Sequence, residues 1–226
     1  KDWGEEAVDD YEATYQYTFT PPASFRGRHV ALVFGGVMTD ATVFLNGEQV
    51  GPTHQGGFYE FSYDVTGLVK ACEPNQLRVM VQKYSSNQSV NEAEREADYW
   101  LFGGIFRPVW LESKPMTHIE HVAVDARHDG SLTADIRLFG AGDGCSVVAT
   151  LRDEAGVEAG KTGVTLLEAG QQSVRLSGLF PDVQAWTAET PNLYTLDVEF
   201  YSGEVPVHRV SERIGFRTVE VKPGLG

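Results

Sequence analysis

The sequence predicts an all-β chain, two β-sandwiches in tandem, on three observations. Apolar and polar residues alternate with a period of two along most of the 226 residues, the 3.6-residue period of an amphipathic helix is almost missing, and the alternation is broken once by a proline-containing stretch at Glu112 to His118, ESKPMTH. Taken in order, the first series sets Tyr11, Ala13, Tyr15, Tyr17 and Phe19 against Glu12, Thr14, Gln16 and Thr18, which reads as a strand with one wet face. The segment TVFLNGEQVG reads as a hairpin, with Asn46-Gly47 supplying two positive-φ positions between alternating arms. Tyr59, Phe61, Tyr63 and Val65, then Leu77, Val79 and Val81, mark further strands. Ser89 to Ala97, SVNEAEREA, has helical propensity but no apolar face, so a loop with a turn or two of helix is expected.

The break at ESKPMTH places a boundary there, and a new series opens at Ile119. Leu132, Ala134, Ile136 and Leu138, then Val147, Ala149 and Leu151, then Val174 and Leu176, then Tyr194, Leu196, Val198 and Phe200 follow at the spacing of a sandwich of about seven strands. Domains are therefore expected at 1–115 and 116–222, with 223–226 beginning a linker toward a further domain. Tyr194 is placed to act as a corner tyrosine whose hydroxyl bonds the backbone of the second sandwich.

Composition narrows the function classes. With 18 Lys plus Arg against 32 Asp plus Glu the formal charge is −14, so a phosphate backbone or an anionic membrane surface is a poor partner. The longest apolar run, Val30 to Met38, is interrupted by Gly35 and Gly36 and falls far below the roughly 18 residues of a spanning helix. Two cysteines, Cys72 and Cys145, are too few for a disulfide scaffold, and in separate domains they are expected to be free thiols.

Several chemistries are not written in the chain. His118 and His121 stand three apart on a strand start, where odd separations face opposite ways, so they do not make a zinc site. No serine stands in a G-x-S-x-G elbow, and the glycine pairs in FGGV and QGGF precede no helix that could present its N-terminus to a phosphate. A structural cation held by scattered loop carboxylates is left open, as is homo-oligomerisation.

Five segments, in order, carry a resemblance: YEATYQYTF at 11–19, FGGVMTDATVFLNGEQVG at 34–51, HQGGFYEFSYDVT at 54–66, NQLRVMV at 75–81 and DYWLFGGIFRPVWLE at 98–112. Together they resemble the N-terminal sugar-binding jelly roll of glycoside hydrolase family 2, the family of β-galactosidases, β-glucuronidases and β-mannosidases. WTAETPNLYTLDVEF at 186–200 and RIGFRTVEV at 213–221 resemble that family's immunoglobulin-like sandwich. The resemblance thus implies a galactose-binding-like jelly roll followed by an immunoglobulin-like domain. It also implies a catalytic (β/α)₈ barrel beyond the terminal VEVKPGLG, carrying both catalytic glutamates, so that this chain holds no catalytic residue itself.

The same resemblance assigns the site residues. Asp98 matches the aspartate whose loop reaches the barrel mouth and accepts hydrogen bonds from hydroxyls of the terminal sugar, in some β-galactosidases beside a sodium ion. A carboxylate suits that work because it is acceptor-only and makes charge-assisted bonds; the plain alternative is a loop aspartate paired with Arg95 or Arg107. Trp100 is placed either to stack on the sugar or to seat the loop on the sandwich. His54 is placed for a sugar contact or, more simply, as a loop hydrogen-bonding residue, and Arg107 reads as a structural ion-pair residue. No cofactor is expected within the chain, and a structural or active-site cation would belong to the full-length enzyme. The expected partners are the chain's own barrel and a carbohydrate, with no nucleic acid and no membrane, and a bacterial polysaccharide enzyme of this kind would favour a periplasmic or secreted location. The rival expectations are a free-standing carbohydrate-binding module, with Trp3, Trp100 and Trp110 as platforms, and an adhesion or scaffolding pair of sandwiches.

Overall fold

The computed structural model describes residues 11–96, 102–221 and 224. The chain divides into two compact units, Lys1–Lys114 and Pro115–Gly226, and both are built almost wholly of antiparallel strands.

The first unit runs β1 (Glu12–Phe19), β2 (His29–Phe34), β3 (Val37–Met38), β4 (Asp40–Leu45), β5 (Glu48–Gln49), β6 (Phe61–Asp64), β7 (Asn75–Gln82), α1 (Gln88–Arg95), β8 (Gly104–Ile105) and β9 (Val109–Lys114). One sheet has the order β1-β7-β4-β5, a second β6-β2-β9, and β3 pairs with β8. Val30, Leu32 and Phe34 of β2 meet Val43 and Leu45 of β4 and Val79 and Val81 of β7 in one buried core. At 0–2% exposure these are the alternate positions that face inward, and each contributes about 1.5–3 kcal/mol of burial. Asn46 (φ 54°) and Gly47 (φ 92°) form the tight turn between β4 and β5, as the Asn-Gly pair predicts.

One expectation is corrected here. The tyrosine face of β1 is not buried, since every residue from Glu12 to Thr18 is exposed. Among the described residues β1 pairs only with β7, at the edge of its sheet, and its aromatic face overhangs an open apolar cleft of about 530 Å³ lined by Tyr15, Tyr17, Ile105 and Trp110 among others. The turn or two of helix expected in SVNEAEREA is α1, which makes two full turns, with Asn87 as N-cap accepting from the Ser89 N–H at 3.1 Å. Its inward side is polar, with Glu94 and Arg95 buried, which explains why no apolar stripe announces it.

The second unit contains β10 (His118–Ala126), β11 (Ser131–Phe139), β12 (Cys145–Arg152), β13 (Glu158–Lys161), β14 (Thr165–Leu166), β15 (Ser173–Leu179), β16 (Tyr194–Ser202) and β17 (Val205–Ile214). Sheet β10-β11-β15 faces sheet β13-β12-β16-β17, with β14 also on β12. Leu132, Ile136, Val147, Leu151, Leu196 and Phe200 lie at the centre of a core shared by both sheets. The Tyr194 hydroxyl accepts from the Gln184 N–H at 2.8 Å, the corner contact its position predicts. Cys72 is exposed and Cys145 buried, and both are free thiols.

Candidate functional site

Among the described residues of the first unit, a polar cluster gathers at the corner where β3 turns into β4, the loop from His54 to Phe58, and the end of α1, and of the site residues marked by the sequence it includes His54. Asp98 and Trp100 lie in 97–101, outside the described residues, as does Trp3.

His54 is tied into the sandwich through its backbone, exchanging two 2.9 Å hydrogen bonds with Ala41 of β4. Its ring stacks on Phe61, with centroids 3.6 Å apart and planes 10° apart, and its Nε2 bonds the Gly56 carbonyl at 2.9 Å. Burial lowers the imidazole pKa, opposed by the Gly56 carbonyl and the negative charges of Asp40 and Glu94. The neutral ring donates Nε2–H to Gly56, which leaves Nδ1 as the acceptor. The His54 ring thus bonds within its own loop. The glycine pair beside it has steric causes. Gly56 sits at φ +108°, where a Cβ would also meet the Tyr59 ring at 2.9 Å, and a Cβ on Gly57 would meet Met38 Cγ at 2.8 Å.

Gly57 lies close in because its N–H donates to Glu94 Oε2 at 2.7 Å, a charge-assisted bond between the His54 loop and α1. One residue on, Arg95 Nη1 donates to the Phe102 carbonyl at 2.8 Å and Nη2 donates to Thr39 Oγ1. Thr39, with no exposed surface, donates its N–H to the Gln82 carbonyl at 2.6 Å and its hydroxyl to the Lys83 carbonyl at 3.0 Å. Asp40 Oδ2 accepts from the Ser86 N–H (2.8 Å), the Ser86 hydroxyl (2.9 Å) and Gln55 Nε2 (3.2 Å), joining the start of α1 to the same corner. Asp40 Oδ1 and Arg95 Nε are buried with no hydrogen-bond partner among the described residues. Thr39, Asp40, Glu94 and Arg95 thus form a buried polar base beneath two loops.

Sequence reasoning did not find that base. The available signal was a short helix, between polar loops, with charged residues and no apolar face. Arg107 Nη1 bonds the carbonyls of Gly35 (3.2 Å) and Phe58 (3.3 Å), because the turn after β2 and the His54 loop bring their C=O groups to it, and no carboxylate among the described residues pairs with it. Trp110 is 40% exposed on the wall of the apolar cleft. Among the described residues no three His, Cys, Asp or Glu side chains gather to hold a metal ion.

Two family models match the chain in succession. Residues 2–115 match the glycosyl hydrolase 2 galactose-binding domain-like model, and residues 117–217 match the glycosyl hydrolases family 2 model. Among curated relatives, the β-galactosidase of Lactobacillus delbrueckii subsp. bulgaricus is 31% identical over 219 residues, which cover 94% of this chain and 21% of that protein. The β-galactosidase large subunit of Latilactobacillus sakei is 32% identical over 213 residues, covering 92% of this chain and 32% of that protein. The chain thus spans between a fifth and a third of the length of these relatives. Among solved structures, the β-glucuronidase of Bifidobacterium dentium shares the fold at a TM-score of 0.78 and 24% identity, over 93% of this chain and 40% of that one. With both units matched in family order, the chain belongs to glycosyl hydrolase family 2.

Proposed function

We propose that this chain is the noncatalytic N-terminal part of a retaining β-glycosidase acting on terminal β-galactosides, to which it supplies scaffold and one substrate-contacting loop. The observation that carries the reading is the succession of the two family matches, together with β-galactosidases that align over more than nine-tenths of this chain and extend well past it. Retaining hydrolysis needs two carboxylates about 5–5.5 Å apart around the anomeric carbon. In this reading both are glutamates of a (β/α)₈ barrel outside the 226 residues. Asp98 accepts hydrogen bonds from hydroxyls of the terminal sugar, and Trp100 seats its loop or stacks on the ring. His54, with its Nε2 engaged by Gly56, keeps the neighbouring loop in shape. A cation, structural or catalytic, would belong to the complete enzyme, as would the choice of compartment and oligomeric state.

The test uses the purified 226-residue chain with an aryl β-galactoside. No turnover is expected, and a rate that scales with chain concentration and disappears in Asp98→Ala would overturn the reading. A second reading, a free-standing carbohydrate-binding module, is favoured by the exposed Trp110 in its apolar cleft. Calorimetric titration separates the two. One carboxylate without its barrel partners does not offset the entropy of immobilising a sugar, so galactose should bind no tighter than about millimolar. Saturation in the micromolar range would support the module.

A further inference from the structure

We propose that Asn46 is a site of spontaneous deamidation, a modification held back in the folded chain by the hydrogen-bond network at one end of the first sandwich, and one whose product weakens that network. Of the five asparagines in the sequence, Asn46 alone precedes a glycine. Gly47 is exposed, and a Cβ there would meet nothing within 4 Å, so neither a side chain of its own nor anything packed on that side hinders its backbone nitrogen. The reaction needs only that nitrogen and water. The Gly47 nitrogen attacks Asn46 Cγ, a bond forms between them, and the Cγ–Nδ2 bond breaks; the amide leaves as ammonia, taking the proton that the Gly47 nitrogen gives up. Water then opens the cyclic imide at one carbonyl or the other, leaving aspartate with an ordinary backbone or isoaspartate with the chain running through the side-chain carboxyl. In sum, an amide and a water become a carboxylate and an ammonium ion.

In the folded chain the amide is engaged elsewhere. Asn46 Nδ2 donates to the Leu68 carbonyl and to Asn75 Oδ1, and Oδ1 accepts from the Gln76 N–H. The backbone at the same residue is fixed as well, its N–H donating to the Gln76 carbonyl at 2.8 Å. Asn75 is fully buried and has no freedom to follow: its Oδ1 also accepts from the Lys70 N–H at 2.9 Å, and its Nδ2 donates to the carbonyls of Lys70 and Glu73. Turning Cγ onto the Gly47 nitrogen requires the three side-chain bonds of Asn46 to break, so the reaction runs through local opening of this end of the sandwich.

The product does not rebuild what the amide held. A carboxylate is acceptor-only, and the oxygen that replaces Nδ2 faces two acceptors, the Leu68 carbonyl and Asn75 Oδ1. Turning the Asn75 amide over would offer it a donor, but would set Oδ1 against the carbonyls of Lys70 and Glu73. The converted chain therefore opens more readily than the parent.

The test incubates the purified 226-residue chain in mildly alkaline buffer, with and without denaturing guanidinium chloride, and follows the peptide spanning Asn46 and Gly47 by mass spectrometry. Conversion to aspartate and isoaspartate should be slower in the folded chain by at least about a hundredfold, the factor expected of three hydrogen bonds of ordinary net strength. Asn75→Ala removes one of the acceptors that hold Nδ2. It should raise the folded-state rate by about tenfold and leave the denatured-state rate unchanged. Asn46→Asp, which carries the product's carboxylate, should lower the calorimetric transition of the first unit and leave that of the second in place. Absence of conversion at Asn46 in the denatured chain would remove the site, and equal rates in the folded and denatured chains would overturn the protection. An Asn46→Asp variant as stable as the parent would overturn the weakening by the product. If Asn75→Ala does not fold, the ratio of folded to denatured rates in the parent still decides whether the network holds the reaction back.

Discussion

Replacing Asn46 separates what its backbone contributes from what its side chain contributes. The residue sits at φ +54°, with Nδ2 donating to the Leu68 carbonyl and to Asn75 Oδ1, both at 2.9 Å, while its Oδ1 accepts from the Gln76 N–H at 3.0 Å. Asn75 has no exposed surface, and its amide also bonds the carbonyls of Lys70 and Glu73 at 2.8 Å, so Asn46 is one member of a network that closes the end of the first sandwich. Asn46→Ala removes three hydrogen bonds of about 1 kcal/mol net each. It also places a Cβ-bearing residue without a stabilising amide in the left-handed region, for about 1 kcal/mol more. Water reaches part of this half-buried turn, so the expected loss is about 3 kcal/mol rather than the full sum. Asn46→Gly accepts the positive φ and loses only the side-chain bonds, about 2 kcal/mol. Differential scanning calorimetry reads the result, because the transition of the first unit should fall by about 4–6 °C for each kcal/mol while that of the second stays in place. An alanine variant within about 1 kcal/mol of the parent, or a glycine variant as unstable as alanine, would refute the assignment.

Two further outcomes follow from titrating groups. Because burial holds the His54 pKa below its ordinary value of 6.5, the unfolded chain takes up the proton first. The first unit should therefore lose stability as the pH falls from about 6.5 through the folded-state pKa, and His54→Gln should flatten that part of a stability–pH curve measured in urea; an unchanged slope would contradict it. In the second unit, burial pushes the Asp197 carboxyl up but hydrogen bonds from Arg209, Ser211 and Arg152 outweigh it, so its pKa lies below the ordinary value. Asp197→Asn should cost about 1.5–3 kcal/mol at pH 7, toward the lower end because both arginines remain hydrated at the surface. The difference between parent and variant should be fully present above pH ~4 and shrink as the pH falls through the folded pKa, and a pH-independent difference would exclude the ionised carboxylate as its source.

The sequence by itself determined what depends on short range. Period-two alternation is a property of extended backbone, so the strands around Phe61, Val79, Ile136 and Phe200 and the all-β class are written locally, and Asn46-Gly47 marks its turn because only a few residue types accept its φ values. Tyr194 could be assigned its corner from the residues around it. The tertiary structure decided what depends on distant segments meeting. Whether the tyrosines of β1 are covered depends on what lies across the edge of its sheet, and the alternation of β1 is the same in either case. Arg107 finds carbonyls because residues 35 and 58 fold beside it, not because of any neighbour in the chain. The polar base of Thr39, Asp40, Glu94 and Arg95 is the clearest case. Arg95 and Thr39 are 56 positions apart, and a charged pair at the end of a short helix reads as solvated until packing removes the water and supplies a hydroxyl and a carbonyl in its place.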